Sequence, residues 1–200
     1  MLIEHRGKRP NIDPAAVVAP TAVICGDVTL GPRTHVSFGA VLVAQGGPIR
    51  VGTQCVIHEN VIIRSTAQHP VAIGNYVLIG PRASLNGCTV EDEVFLATGV
   101  TIFHGARIGR RAEVRVNGVV HVRSVVAPNE TVPIAWVAVG DPARILPPER
   151  HDEIWSVQEP LNFPHVVYGV ERAAGGGVDM QEVTWRVIAG LAEHGNDRVL

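Results

Sequence analysis

The sequence is poor in aromatic residues, in lysine and in long apolar runs. Only 4% of its 200 residues are aromatic while 46% are hydrophobic, so its core must be built from aliphatic side chains. Lys8 is the only lysine, and the net charge of −2 argues against nucleic acid as a partner. No run of about 18 apolar residues is present, which predicts that no helix crosses a membrane and that membranes are not a partner.

Cysteine is also scarce. Cys25, Cys55 and Cys88 are odd in number, form no CxxC motif and indicate no disulfide framework. The first residues, MLIEHRGKRP, lack the apolar core of a signal peptide. We therefore expect a cytoplasmic protein.

What the sequence has instead is a branched apolar residue that recurs about every six positions. These residues are Ile24, Leu30, Val36, Leu42, Val51, Ile57, Ile63, Ile73, Ile79, Leu85, Val90, Leu96, Ile102, Ile108, Val114, Val120 and Val126. A helix repeats about every 3.6 residues and a strand every 2, so neither fits. The period is typical of a solenoid in which each hexapeptide gives one short strand and a turn. We predict an all-β solenoid, a left-handed parallel β-helix with three hexapeptides per coil and a C-terminal α-helical extension.

The repeat is interrupted at Ala44–Ile49 and at Ser65–Val71, where extra residues are expected to bulge out as loops, and it loses one residue between Leu85 and Val90. We expect the β-helix to occupy residues 1–146 and the extension residues 147–200.

Within the extension, the segment LNFPHVVYGV looks extended. Asp179 and Glu182 have capping-box spacing, which predicts a helix near residues 179–193. Its apolar stripe, formed by Met180, Val183, Val187 and Leu191, is expected to pack on the prism or on a neighbouring subunit. The tail after His194 is expected to fray. Flat apolar solenoid faces favour association, so we expect a homotrimer.

Four motifs over roughly residues 10–148 resemble the γ-class carbonic anhydrase family of the hexapeptide-repeat superfamily. They are PNIDPAAVVAPTAVICGDVTLG, PIRVG, LNGCTVEDEVFLATGVTI and VGDPARIL. The resemblance implies a trimeric left-handed β-helix with a zinc site between subunits.

The positions that this resemblance assigns to the three zinc histidines carry Arg64, Pro81 and Asn86. Arginine and proline offer no side-chain lone pair, and asparagine is a poor zinc ligand. The family's VLRGD segment reads VLVAQ here, and its site Gln and Asp correspond to His58 and Glu59. We therefore expect no metal, no cofactor and no hydration of CO2.

The crevice between subunits is then open to other uses. One hypothesis is a rebuilt pocket for a small carboxylate or acyl compound, in which Arg64 anchors the ligand, His58 transfers protons and Glu59 orients His58. Asn86, His104 and Tyr76 are the expected substrate-binding residues.

Other interpretations remain open. A relocated metal site would use His58, His104 and His121, and a retired site would have no chemistry. The protein would then be a noncatalytic scaffold subunit. An acyl-CoA-dependent acyltransferase, common in the wider superfamily, would use His69 in the second interruption. Otherwise the remaining histidines are expected at the surface; they are His5, His35, His69, His151, His165 and His194.

Overall fold

In the computed structural model, which describes residues 1–173 and 175–200, the chain forms a left-handed parallel β-helix followed by a helical extension. The fold predicted from the six-residue period is confirmed. The strands of the first half are β1 (Leu2–Glu4), β2 (Asn11–Ile12), β3 (Val17–Val18), β4 (Val23–Leu30), β5 (His35–Val36), β6 (Val41–Val51), β7 (Val56–Ile57), β8 (Ile62–Thr66), β9 (Val71–Ile73), β10 (Leu78–Ile79) and β11 (Ser84–Asn86). Those of the second half are β12 (Thr89–Val90), β13 (Phe95–Leu96), β14 (Thr101–Ile102), β15 (Arg107–Ile108), β16 (Glu113–Val114), β17 (Val119–Val120), β18 (Val125–Val126), β19 (Thr131–Val132), β20 (Val137–Val139), β21 (Arg144–Leu146) and β22 (Arg198–Val199).

The strands build three faces of a prism. Face I is the sheet that contains β3, β5, β7, β10, β13, β16 and β19. Face II carries β8, β11, β14, β17 and β20, and face III carries β9, β12, β15 and β18. The long strands β4 and β6 run through faces II and III in one stretch, because their first halves pair on face II and their second halves on face III.

The inward residue of each strand stacks on its counterpart in the next coil. On face II, Leu85 pairs in register with Ile63 on one side and Ile102 on the other. The branched apolar residue of every repeat is at most 4% exposed. Because one coil encloses too little apolar surface by itself, each coil depends on its neighbours for a core.

The first two interruptions stack on each other at the corner between faces II and III. The segment Ala44–Ile49 is not the loop we expected, because it stays within strand β6. Its extra residues form a bulge: Gly26 of β4 pairs with Ala44, whereas Val28, only two residues later, pairs with Ile49. The strand persists because β8 lengthens beside it and pairs Gln45 with Thr66. The second interruption turns back between Thr66 and His69, and Ser65 Oγ donates to the Gly47 carbonyl at 2.6 Å.

The extension consists of α1 (His151–Gln158), α2 (Phe163–Tyr168) and α3 (Met180–Ala192), with short 3-10 helices at Glu159–Leu161 and Glu193–Asn196. The extended conformation expected for LNFPHVVYGV is wrong. Pro164 lies in the first turn of α2, where a missing N–H costs nothing, and Gly169 ends the helix at φ 69°. None of the helices among the described residues has the length and apolar character needed to span a bilayer.

Helix α3 begins after Asp179, whose carboxylate accepts from the backbone N–H groups of Gln181 and Glu182. Val183 is the buried residue of the expected stripe, whereas Met180, Val187 and Leu191 are exposed to solvent. Trp185 and Ile188 are also exposed, at 67% and 65%. Helix α3 therefore leaves most of its apolar surface uncovered within one chain.

The expected fraying after His194 is wrong as well. The tail returns to the first coil, where β22 pairs antiparallel with β1 and β1 pairs in parallel with β4. The tail thereby covers an edge that would otherwise expose unpaired backbone groups.

The stacked core predicts the effect of a single truncation. Ile102→Ala should lower the free energy of unfolding by about 2–5 kcal/mol, because a fully buried methyl-rich side chain leaves a cavity. Thr101→Ala is the matched control, since Thr101 lies on the same strand and points outward; its expected cost is below about 0.5 kcal/mol. Urea titration of both variants measures the difference, and equal destabilisation would contradict the stacked core.

Candidate functional site

A row of outward side chains runs along face II, each one residue after an inward repeat residue. Asn86 pairs in register with Arg64. The pairs Leu85–Ile102 and Ile102–Val120 place Phe103 and His121 in the same row. We call Arg64, Asn86, Phe103 and His121 the face II column. The strand register thus places these four side chains on one face, one coil apart.

The lower half of the column consists of Arg64 and Asn86, a cation and an amide at neighbouring positions of face II. The Arg64 side chain is exposed and forms no hydrogen bond or ion pair with the described part of the chain. The Asn86 Nδ2 group donates to Ser84 Oγ at 3.2 Å and to the Ile102 carbonyl at 3.4 Å. These bonds hold the amide against the strand, so that its oxygen is an acceptor beside the guanidinium of Arg64.

The upper half of the column is covered by the extension. His121 is 9% exposed, and its ring packs against those of Phe103 and Phe163 at 5.8 and 6.0 Å between centroids. Phe163 belongs to α2, so the extension covers the end of the column that carries His121. Burial lowers the pKa of His121 to about 4, and its Nδ1 has no hydrogen-bond partner among the described residues.

His69 and His104 lie next to each other at the corner between faces II and III. The rings of His69 and His104 meet edge to face at 5.5 Å. Burial, and to a lesser extent the charge of His69, lowers the pKa of His104 to about 4. Gly87 lies beneath them at φ 49°, and a β-carbon there would stand 2.4 Å from the His69 Cβ. The missing side chain at Gly87 therefore makes room for the His69 loop.

The remaining predicted site residues lie elsewhere on the prism. His58 and Glu59 are at the corner between faces I and II, with 3.5 Å between His58 Nδ1 and Glu59 Oε2, and both are solvent-accessible. Tyr76 is 54% exposed at the corner between faces III and I. Within one chain the structure thus brings Arg64 and Asn86 together, sets His104 at the neighbouring corner, and keeps His58, Glu59 and Tyr76 apart from the column. Their roles stay predictions.

The zinc implied by the family resemblance does not fit the residues at the positions that the resemblance assigns to its ligands. Arg64 and Asn86 are adjacent on face II, and Pro81 lies in the corner that leads from β10 into β11. This set offers a cation, a pyrrolidine ring and an amide, and none of them is a usual zinc donor.

The cysteine thiols are equally unsuited to nucleophilic chemistry. Burial raises the pKa of Cys88 to about 12, and burial together with the Asp197 carboxylate does the same for Cys25. The pKa of Cys55 is also raised by burial. All three remain protonated at neutral pH.

One group of side chains escaped the sequence analysis. His5, Cys25, His194 and Asp197 form the one group of three or more potential metal ligands found in the described ranges, and it does not include His58, His104 or His121. The expectation that His5 is a surface residue is wrong, since it is 1% exposed. No local motif announces this group, because its members are separated by up to 192 residues and meet only when the tail returns to β1.

Comparisons with known proteins agree with the geometry. No protein-family model matches the chain. It is 35% identical over 153 residues to "Gamma carbonic anhydrase 1, mitochondrial" of Arabidopsis thaliana, which covers 74% of this chain and 54% of that protein. It is 32% identical over 142 residues to a protein named "Probable carbonic anhydrase" of Methanocaldococcus jannaschii, covering 71% of this chain and 86% of that protein. The chain thus spans about half the length of the Arabidopsis relative.

Among solved structures, a UDP-N-acetylglucosamine acyltransferase from Bacteroides fragilis superimposes with a TM-score of 0.58 at 14% identity, covering 90% of this chain and 78% of that one. At that identity the likeness establishes the fold alone. The fold and the coil register define a hexapeptide-repeat β-helix protein. The sequence relatives narrow the class, and the chain belongs to the γ-carbonic anhydrase-like family.

The lowered pKa values of His104 and His121 predict a loss of stability in mild acid. Their folded-state pKa values near 4 lie below the value of about 6.5 in the unfolded chain, so the unfolded state binds protons first as the pH falls. Stability should be fully present above pH ~6.5 and should fall towards pH ~4 by about 1.4 kcal/mol per pH unit for each histidine.

The variant His121→Gln removes one of these groups and should lower that slope by about half, while the exposed His35→Gln should leave it unchanged. Urea titrations at several pH values measure the slopes. Identical slopes for wild type and His121→Gln would contradict a buried neutral imidazole.

Proposed function

We propose that this protein is a γ-carbonic anhydrase-like homotrimer that does not hydrate CO2 and that binds a small carboxylate or acyl compound in the crevice between subunits. One observation carries the proposal: the exposed guanidinium of Arg64 has no partner in the described chain and lies in register with the Asn86 amide on face II.

The first part of the proposal rests on donor chemistry. Hydration of CO2 by a zinc enzyme needs three protein ligands and an open position for a nucleophilic water. Arg64, Pro81 and Asn86 at the inherited positions supply no such set. The positive charge of Arg64 would also repel a cation placed beside it.

The second part rests on the charge and polarity of the lower column. A guanidinium binds a carboxylate through two parallel hydrogen bonds, and the Asn86 oxygen accepts from a hydroxyl or amine on the same ligand. This combination favours a small hydroxy- or amino-carboxylate over a simple fatty acid.

Assembly would complete the site. His58 and Glu59 lie at the corner between faces I and II, and in a trimer this corner meets a neighbouring prism. We assign proton transfer to His58, its orientation to Glu59, and ligand contacts to His104 and Tyr76. The uncovered apolar surface supports association, since Trp185 and Ile188 on α3 are more than half exposed. With its thiols reduced and unpaired, we place the protein in the cytoplasm.

A second candidate function is acyl transfer from an acyl-CoA. His69 supports it, because the loop that carries His69 folds over Gly87 and sets its ring beside the neutral His104. An imidazole in such a loop is the kind of group that accepts a proton from an acyl acceptor. A noncatalytic scaffold is the third reading, and binding experiments separate the three.

The donor set predicts that CO2 hydration equals the buffer rate with or without added zinc. Stopped-flow measurement with a pH indicator tests this, with an active zinc carbonic anhydrase as the positive control. A zinc-dependent rate that disappears in Asn86→Ala would contradict the proposal, because it would place a working metal at the inherited position.

The column predicts which change abolishes ligand binding. A panel of small hydroxy- and amino-carboxylates should raise the melting temperature of the wild type, since a ligand that binds only the folded state stabilises it. Arg64→Gln should remove that shift. Arg107→Gln is the matched control: Arg107 is an exposed arginine on face III, and its loss should leave the shift intact.

Sedimentation analysis of both variants should give three times the mass of one chain, which separates a lost ligand from a lost trimer. A shift with acetyl-CoA that disappears in His69→Gln would favour acyl transfer instead. No shift with any compound, in a protein that is folded and trimeric, would overturn the carboxylate site and favour the scaffold.

A further inference from the structure

A compact group of ligand-type side chains joins the two ends of the chain. His5 follows β1, Cys25 lies in β4, and His194 and Asp197 belong to the tail. One donor atom from each of the four lies within 4.8 Å of the others. The group is at the start of the prism, in the same row of face II as Arg64 and two coils from it, because Cys25 pairs with Val43 and Val43 pairs with Arg64.

The carboxylate of Asp197 is the centre of the group. Its Oδ1 lies 2.6 Å from His5 Nδ1, its Oδ2 lies 2.7 Å from His194 Nδ1, and Cys25 Sγ donates to Oδ2 at 3.6 Å. The two imidazole rings stack with 4.3 Å between centroids. Two histidines, one thiol and one carboxylate therefore converge on a single point.

Two members of the group are buried and two are partly exposed to solvent. His5 and Cys25 are 1% and 3% exposed, whereas the side chains of His194 and Asp197 are 27% and 17% exposed. The Nε2 atom of His5 is buried and has no hydrogen-bond partner among the described residues. The other ring nitrogen, Nδ1, faces Asp197 and is therefore the donor that His5 offers to the group.

We propose that His5, Cys25, His194 and Asp197 form a structural zinc site that fastens the C-terminal tail to the first coil. Nitrogen, sulfur and carboxylate oxygen are the three donor types that zinc takes, and four protein ligands close a tetrahedral site. Binding places the ion among the four donors and replaces their hydrogen bonds to Asp197: each imidazole that binds through Nδ1 carries its proton on Nε2 instead, and the thiol proton of Cys25 leaves to solvent. A thiolate and a carboxylate then balance the two charges of the ion.

The required movement is small. Zinc ligands in a tetrahedral site lie about 3.3–3.8 Å apart, because zinc–nitrogen and zinc–sulfur bonds are about 2.0–2.3 Å long. The widest separation here is within 4.8 Å, so the outer donors must close by about an ångström, whereas the hydrogen-bonded pairs at 2.6 and 2.7 Å must open by about 0.7 Å. A cavity of about 200 Å³ borders His5, and its lining also includes Asp27, Arg6 and Lys8.

The site explains why the tail is ordered although few apolar contacts hold it. Beyond the cluster, β22 adds two pairs of residues to β1, and Arg6 forms an exposed ion pair with Glu193. Exposed ion pairs contribute little to stability, about 0–1 kcal/mol. A metal that links residue 5 to residue 197 would close nearly the whole chain into one loop.

Metal analysis tests the proposal. Full-length protein, incubated with zinc and then desalted, should retain about one zinc ion per chain. Cys25→Ser and His194→Gln should each lose it. Cys55→Ser is the matched control, because Cys55 is a buried thiol outside the cluster, and it should keep the ion. Circular dichroism verifies that each variant is folded.

Cobalt gives a second readout. Wild-type protein loaded with Co²⁺ should show a thiolate-to-cobalt absorption band that is absent from Cys25→Ser. Zinc should also raise the melting temperature of the wild type but not of His194→Gln. Folded wild type that retains no zinc, or zinc retained equally by Cys25→Ser, would overturn the site. The carboxylate-binding assay does not depend on either outcome.

Discussion

The stacking of one branched aliphatic side chain on the next, coil after coil, is the interaction on which the rest of this structure depends. No coil has a core of its own, because the inward residues of a single triangle enclose too little apolar surface. Leu85 is buried only because Ile63 and Ile102 lie above and below it. The outward residues inherit this regularity, so side chains spaced by one coil stand side by side along a face. Within one chain, the candidate site on this fold is therefore a column of outward side chains.

The face II column shows how this geometry separates scaffold from chemistry. The inward residues set the register of the coils, and the outward residues can differ without cost to the core. Arg64 and Asn86 occupy neighbouring positions in one column, and the helix α2 closes the other end over His121 through Phe163. Substitution of an outward residue therefore alters the column but leaves the inward stacking of the prism as it is.

Much of the fold was predictable because its signal is periodic and local. The repeat residues between Ile24 and Val126 predicted the strands, their burial and their register, and the capping box at Asp179 predicted α3. The bulge at Ala44–Ile49 was not predictable, because the strand there survives only through the lengthened β8 beside it. The helix α2 was missed because Val166 and Val167 favour strands, whereas Pro164 and Gly169 define a short helix. The contact between His5 and Asp197 forms only because the C-terminal tail packs against the first strand, and no local sequence pattern encodes such a contact.

The position of bound zinc tests the account most directly. Anomalous diffraction at the zinc edge, from crystals grown with zinc, locates each ion without reference to activity. The account predicts density among His5, Cys25, His194 and Asp197 and none beside Arg64 and Asn86. Density at Arg64 and Asn86, with none at the chain ends, would contradict both the loss of the inherited metal site and the zinc site that joins the tail to the first coil.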